Sequence, residues 1–183
     1  MRRARIALIG AGIAGVALGA FWASRLASLH PVGNRRVPEP AKPVALERYL
    51  GRWYEIARYE QRFERGCEAA SAQYDLRADG KIGVLNRCRK RDGKIIEARG
   101  VAKVVDAATN AKLKVSFFGP FYGNYWVLDH GDDYDWSIVG EPSGRYLWIL
   151  SREKRPDDEH LRGLIRRVSE MGYDTSMLVF DDH

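Results

Sequence analysis

Gly51-Arg52-Trp53-Tyr54, near the start of the folded part of this chain, is the stretch on which the fold turns. It has two distant companions, Asp133-Tyr134-Asp135-Trp136 in the middle and Tyr146-Leu147-Trp148-Ile149-Leu150-Ser151-Arg152 toward the end. At this order and spacing the three blocks describe a closed β-barrel. A barrel of about eight strands leaves an interior just large enough for one small apolar ligand, and its closed end has to be plugged by something bulky. Trp53, on the first strand, suits that role, with Gly51 opening the strand. A cation from the far end of the chain, stacked on the indole face, would tie the last strand to the first and contribute about 0.5–2 kcal/mol. Arg152 is the candidate.

The sequence between the blocks reads as short strands and turns. Residues 46–50 suggest one helical turn feeding a first strand over 51–59, followed by a polar loop, 60–66, at the barrel mouth. Strands over 69–76, 82–88 and 95–105 are separated by Ala78-Asp79-Gly80 and Asp92-Gly93 turns, and further strands fall near 112–118, 124–129, 135–140 and 146–151. Leu113, Val115 and Phe117 alternate with Lys112, Lys114 and Ser116, as a strand with one buried and one wet face requires. One helix follows Pro156. Asp157, Asp158 and Glu159 favour its N-terminal end, Leu161, Leu164, Ile165, Val168 and Met171 share a stripe, and Gly172 ends it. The predicted fold is all-β: an eight-stranded up-and-down antiparallel barrel with one C-terminal α-helix packed outside, preceded by an N-terminal signal or anchor segment.

That segment holds Arg2, Arg3 and Arg5 before an uncharged apolar run from Ile6 to Ser24, which fits a secretory signal peptide or a signal anchor. The Gly-x-Gly-x-x-Gly at Gly10 to Gly15 imitates a dinucleotide fingerprint. It lacks the acidic residue about 20 positions further on, because the first acid is Glu39 in a Pro-rich stretch. The expected partition is residues 1–28 signal or anchor, 29–43 linker and 44–183 one barrel domain. Of the net charge of +6, residues 1–40 carry six Arg against one Glu, and residues 41–183 carry 24 cations against 23 anions. The basic excess therefore belongs to the leader and argues against nucleic acid as a partner.

The three blocks, together with Val115-Ser116-Phe117-Phe118-Gly119-Pro120-Phe121-Tyr122-Gly123, resemble the signature regions of the lipocalin family, in its bacterial outer-membrane branch, over roughly residues 43–180. The resemblance implies a carrier of fatty acids or lysophospholipids at the cell envelope. Members of that branch are typically lipoproteins, but no Cys precedes Cys67, so there is no lipobox cysteine and the lipid attachment does not transfer. The expected location is exported, in the periplasm or cell envelope, with membrane association through the N-terminal segment if it is uncleaved. A monomer or weak dimer is expected.

Counting by twos from Arg152 puts Leu150, Trp148 and Tyr146 on one face. The same exercise gives Ile82, Val84 and Asn86, then Leu113, Val115 and Phe117, then Tyr125 and Val127, and Ile138, as pocket lining. Gly83, Ala98, Gly100, Ala102 and Gly123 favour a cavity over a solid core. A tail would lie against Val84, Val115, Phe117 and Ile138, with Trp148 beside it and Tyr125, Asn86 and Tyr146 serving a polar head near the open end. Asp133 and Tyr134 read as a structural bridge at the closed end. Cys67 and Cys88 flank one hairpin, and two cysteines in an exported protein imply a disulfide. A turn near Asp79 sets Cys88 opposite a residue near Ala70, so the bridge needs a bulge or a bent start near Gly66.

No catalytic motif is present, and His30, His130, His160 and His183 are scattered, so neither a metal nor another cofactor is indicated and no enzyme is expected. Two alternatives stay open. One is an enzyme on the same barrel with Cys67 as nucleophile. The other is a passive membrane-tethered envelope protein whose Phe118, Phe121 and Tyr122 loop docks on a membrane or protein.

Overall fold

The first strand is seeded by one turn of helix, α1 (Leu46–Tyr49), after which Gly51 turns the chain with φ +91°, a conformation that side-chain-bearing residues rarely adopt. This computed structural model describes residues 31–183 apart from Phe63, and the signal or anchor expected over residues 1–28 lies outside the described residues. Nine strands follow α1: β1 (Gly51–Tyr59), β2 (Cys67–Leu76), β3 (Ile82–Lys90), β4 (Ile95–Val104), β5 (Lys112–Phe118), β6 (Phe121–His130), β7 (Trp136–Gly140), β8 (Leu147–Ser151) and β9 (Leu178–Phe180).

Strands β1 to β8 form an up-and-down antiparallel meander that closes because β1 pairs with both β2 and β8. β1 starts at the closed end beside Arg152. The β1–β2, β3–β4, β5–β6 and β7–β8 connections therefore all lie at the opposite, open end. The single long helix, α2 (Asp158–Glu170), is capped by the Asp157 carboxylate, which accepts from the His160 N–H at 2.8 Å. α2 packs outside the wall: Leu164 and Val168 join Ala57, Tyr59, Leu128, Ile138, Leu147 and Ile149 in one apolar cluster. A second cluster fills the barrel itself, with Trp53, Tyr49, Leu150, Val84 and Val127 toward the closed end and Phe117 and Trp148 packed above them.

Three features depart from the sequence expectation. The expected linker is not free chain, because residues 33–43 are strapped along the wall. Gly33 N–H reaches the Gly144 carbonyl at the open end (2.9 Å), Ala41 N–H reaches Leu128 (2.8 Å), and Val44 N–H reaches Thr109 at the closed end (2.7 Å). A ninth strand, absent from the predicted eight, pairs with the upper half of β1 (Ala57 with Phe180, Tyr59 with Leu178) and fills the seam where β1 and β2 part. Gly100 also makes room for a side chain rather than for empty space: a Cβ there would stand 2.8 Å from the Phe117 ring.

Candidate functional site

At the closed end Trp53 is fully buried and donates its indole N–H to the Tyr49 carbonyl at 2.8 Å. The Arg152 guanidinium lies 3.8 Å from the Trp53 ring centroid and donates to the carbonyls of Arg52 (2.6 Å), Arg48 (2.8 Å), Leu50 (2.9 Å) and Tyr134 (3.1 Å). Tyr134, at φ +58°, accepts the Ala45 N–H on its hydroxyl at 2.7 Å, while Asp133 is exposed and 3.7 Å from Arg48. One cation thus holds the end of α1, the start of β1 and the β6–β7 turn together.

Above the plug the interior is apolar. Ile82, Leu113, Val115 and Tyr125, with Leu46 and Ala102, border a cavity of about 20 Å³. That is room for about one water and far too little for an acyl chain. Val84, Val127 and Leu150 also face inward, and Phe117 and Trp148 pack on this cluster half-buried. Tyr146 stacks on Trp148 with ring centroids 5.9 Å apart. Ile138 does not line the interior. It pairs with Ile149 on the outer face under α2, and its neighbours Ser137 and Val139, cross-strand from Leu150 and Trp148, point in. Counting by twos fails there because β7 offered no inward residue to count from.

Tyr125 also sits elsewhere than expected. Its hydroxyl is deep in the barrel, bonded to Tyr49 at 2.9 Å and Tyr74 at 3.0 Å, with Ser137 3.1 Å from Tyr49. Burial pushes the Tyr49 hydroxyl up to about 12 and raises Tyr74 and Tyr125 as well, so the trio is neutral and cross-bonded rather than free to hold a head group at the mouth. Asn86 does face inward, cross-strand from Ala72, and its buried Oδ1 has no hydrogen-bond partner among the described residues.

The polar part of the interior lies on β1 and the β1–β2 loop, and the sequence reading missed it. A bulge between Glu55 and Ala57 flips the strand's parity, so Arg58 turns into the barrel and is 1% exposed. Arg58 donates to Glu55 at 3.0 Å, to the Cys67 carbonyl at 3.1 Å and to Asp181, and lies 3.7 Å from Glu64. Trp148 donates its indole N–H to Glu64 at 3.3 Å. Burial pushes the Glu64 carboxyl up to about 7 despite Arg58; burial, with Glu64 and Asp181 nearby, raises Glu55, and burial raises Asp181 against the pull of Arg58. With Glu60 at 3.8 Å as well, one guanidinium thus faces four carboxyl groups above an apolar floor. Opposite charges at positions 55 and 58, either side of Ile56 and Ala57, were the available signal.

Cys67 and Cys88 are disulfide-bonded, with Cα atoms 5.4 Å apart. Cys88 pairs with Ala70, and a bulge between Cys67 and Ala69 brings the sulfurs together. The bond leaves Cys67 without the thiol that the enzyme alternative required. Among the described residues no group of three or more His, Cys, Asp or Glu side chains is placed to hold a metal ion.

The family described as lipocalin-like domain matches residues 44–183. The outer membrane lipoprotein Blc of Vibrio cholerae is 43% identical over 149 residues, covering 79% of this chain and 87% of that protein. The Escherichia coli K12 protein of the same name is 44% identical over 150 residues, covering 78% and 85%. Among solved structures, insecticyanin of the tobacco hornworm Manduca sexta superposes with a TM-score of 0.64 at 23% identity, over 79% of this chain and 84% of that one, a likeness of fold alone. With barrel, plug, outer helix and sequence in agreement, the chain belongs to the lipocalin family, in the company of the bacterial outer membrane lipoproteins.

Proposed function

We propose that the barrel binds one long-chain amphiphile, a fatty acid or a lysophospholipid, and stores or carries it at the bacterial cell envelope. The observation that carries this reading is the graded interior: an apolar floor of Ile82, Leu113 and Val115 beneath the polar group of Arg58, Glu55, Glu64 and the unpartnered Asn86 Oδ1, inside a closed wall. A tail belongs on the floor and a head above it. The names of the bacterial relatives support the envelope, and the Arg-led apolar leader supports export.

Because the cavity holds only about one water, the ligand must open the core, and the half-buried Trp148, Phe117 and Tyr146 are the side chains in its way.

Titrating fatty acids and lysophosphatidylethanolamines of increasing length, with tryptophan fluorescence as readout, tests this. Each added methylene should contribute about 0.8 kcal/mol until the tail reaches Trp53. Trp148→Glu should abolish binding. A response that is flat across both series, with no lipid extractable from the native protein, rejects the carrier.

A further inference from the structure

We propose that the open mouth docks on the surface of an anionic phospholipid bilayer, with Phe118, Phe121 and Tyr122 as an apolar wedge and the β3–β4 hairpin as its cationic flank. Phe118 is 82% exposed, Phe121 78% and Ile95 62%, with Tyr122 and Ile96 also exposed. Exposed apolar residues scattered singly are ordinary, but these five gather at one end of the barrel. The strand order β3-β4-β5-β6 sets their two hairpins side by side on the rim.

The charge of this rim matches such a surface. Residues 87–99 hold six cations (Arg87, Arg89, Lys90, Arg91, Lys94 and Arg99) against two carboxylates, Asp92 and Glu97, whereas residues 41–183 together are nearly balanced. Glu68 is shared between Arg89 and Arg91, at 3.2 and 3.1 Å, so it does not neutralise both. Lys103 lies over the Tyr122 ring, 4.6 Å from its centroid, an aromatic-cation pair suited to the level of lipid head groups. Each cation near an anionic membrane surface adds about 1 kcal/mol, or roughly fivefold in affinity.

The third observation is where the earlier part of the chain joins the domain. Gly33 is bonded to Gly144 in the β7–β8 turn, so the described chain enters the domain at the mouth end. Docking there would let a ligand pass between bilayer and barrel without crossing water. The proposal stands apart from the carrier reading, which is tested with free ligand.

The test is sedimentation of the full chain with vesicles of phosphatidylcholine, with and without phosphatidylglycerol. Phe118→Ser with Phe121→Ser should weaken binding by at least about tenfold. Leu76→Ser with Val105→Ser, which removes exposed apolar residues from the closed end and retains the same leader, should not change it. Arg91→Gln with Lys94→Gln, both on the solvated hairpin, should weaken binding to anionic vesicles by roughly 25-fold and gives a reading even if the Phe variant folds poorly. Equal binding by wild type, mouth and closed-end variants overturns the proposal, as does indifference of the wild type to phosphatidylglycerol. Mouth substitutions that dissolve a dimer while leaving vesicle binding intact would assign the face to a second copy and also overturn it.

Discussion

Replacing Arg152 by alanine should lower stability by about 3 kcal/mol. The cation–π contact with Trp53, at 3.8 Å, accounts for about 1 kcal/mol of this. Of the five carbonyls that Arg152 serves, those of Arg48 and Arg52 lie where water can replace the guanidinium, so their loss is small, and that of Tyr49, at 3.4 Å, keeps its bond from the Trp53 indole. The carbonyls of Leu50 and Tyr134 are partly buried, and each unmade bond costs about 1 kcal/mol. Trp53→Leu keeps an apolar plug but removes the π face, at about 3 kcal/mol for the lost volume. If the two residues act through one contact, the double variant should be less destabilised than the sum of the singles by about 1 kcal/mol. Equilibrium urea unfolding of the disulfide-bonded protein at constant m-value gives all four corners of the cycle. A coupling energy below about 0.3 kcal/mol would refute the plug, because residues in contact do not behave additively.

Three further outcomes follow from the same geometry. Cys67→Ala with Cys88→Ala, which opens a loop with a sequence separation of 21, should cost about 3 kcal/mol of unfolding free energy, measured in urea, and native protein should weigh about two daltons less than its reduced form. Glu64 has a folded-state pKa raised by burial to about 7, so the folded protein binds more protons than the unfolded chain between about pH 4.5 and 7. Its contribution is therefore greatest at low pH and is lost as pH rises toward 7, Glu55 and Asp181 act in the same direction, and Glu64→Gln should flatten stability across that window. Asp181→Ala removes a buried partner from Arg58 and from the Ala70 N–H and should cost about 3–5 kcal/mol, whereas Asp182→Ala, mostly exposed, should cost less than about 0.5.

Much of the barrel is legible in the sequence because its signals are local. Alternation in β5, the Asp-Gly turns and the α2 stripe each need only neighbouring residues to be read. The interior is less legible, because facing depends on parity and parity does not survive a bulge. Positions 53 and 55 point in, and counting by twos would continue to 57 and 59, yet the irregularity after Glu55 sends Ala57 and Tyr59 outward and Arg58 inward. The charged half of the candidate site disappears from view at that point. Tyr125 shows a second limit: its inward direction was readable, but its depth was not, because depth is set by pairing with Leu113 near the closed end. β9 escaped because a three-residue strand after a helix looks like a tail until its partner is known.

That last strand bears on how the barrel is assembled. The upper half of β1 finds its second neighbour only in residues 178–180, and the Asp181 carboxylate then binds the Ala70 N–H on the far lip of the seam. A chain delivered N-terminus first, from a ribosome or through a translocation pore, therefore holds its first strand half unpaired until nearly everything else has been made. Unpaired strand edges are templates for aggregation, and pairings so distant in sequence form slowly. The interval before residue 181 arrives is thus the period when this protein most needs a chaperone, and residues 178–181 act as the latch that ends it.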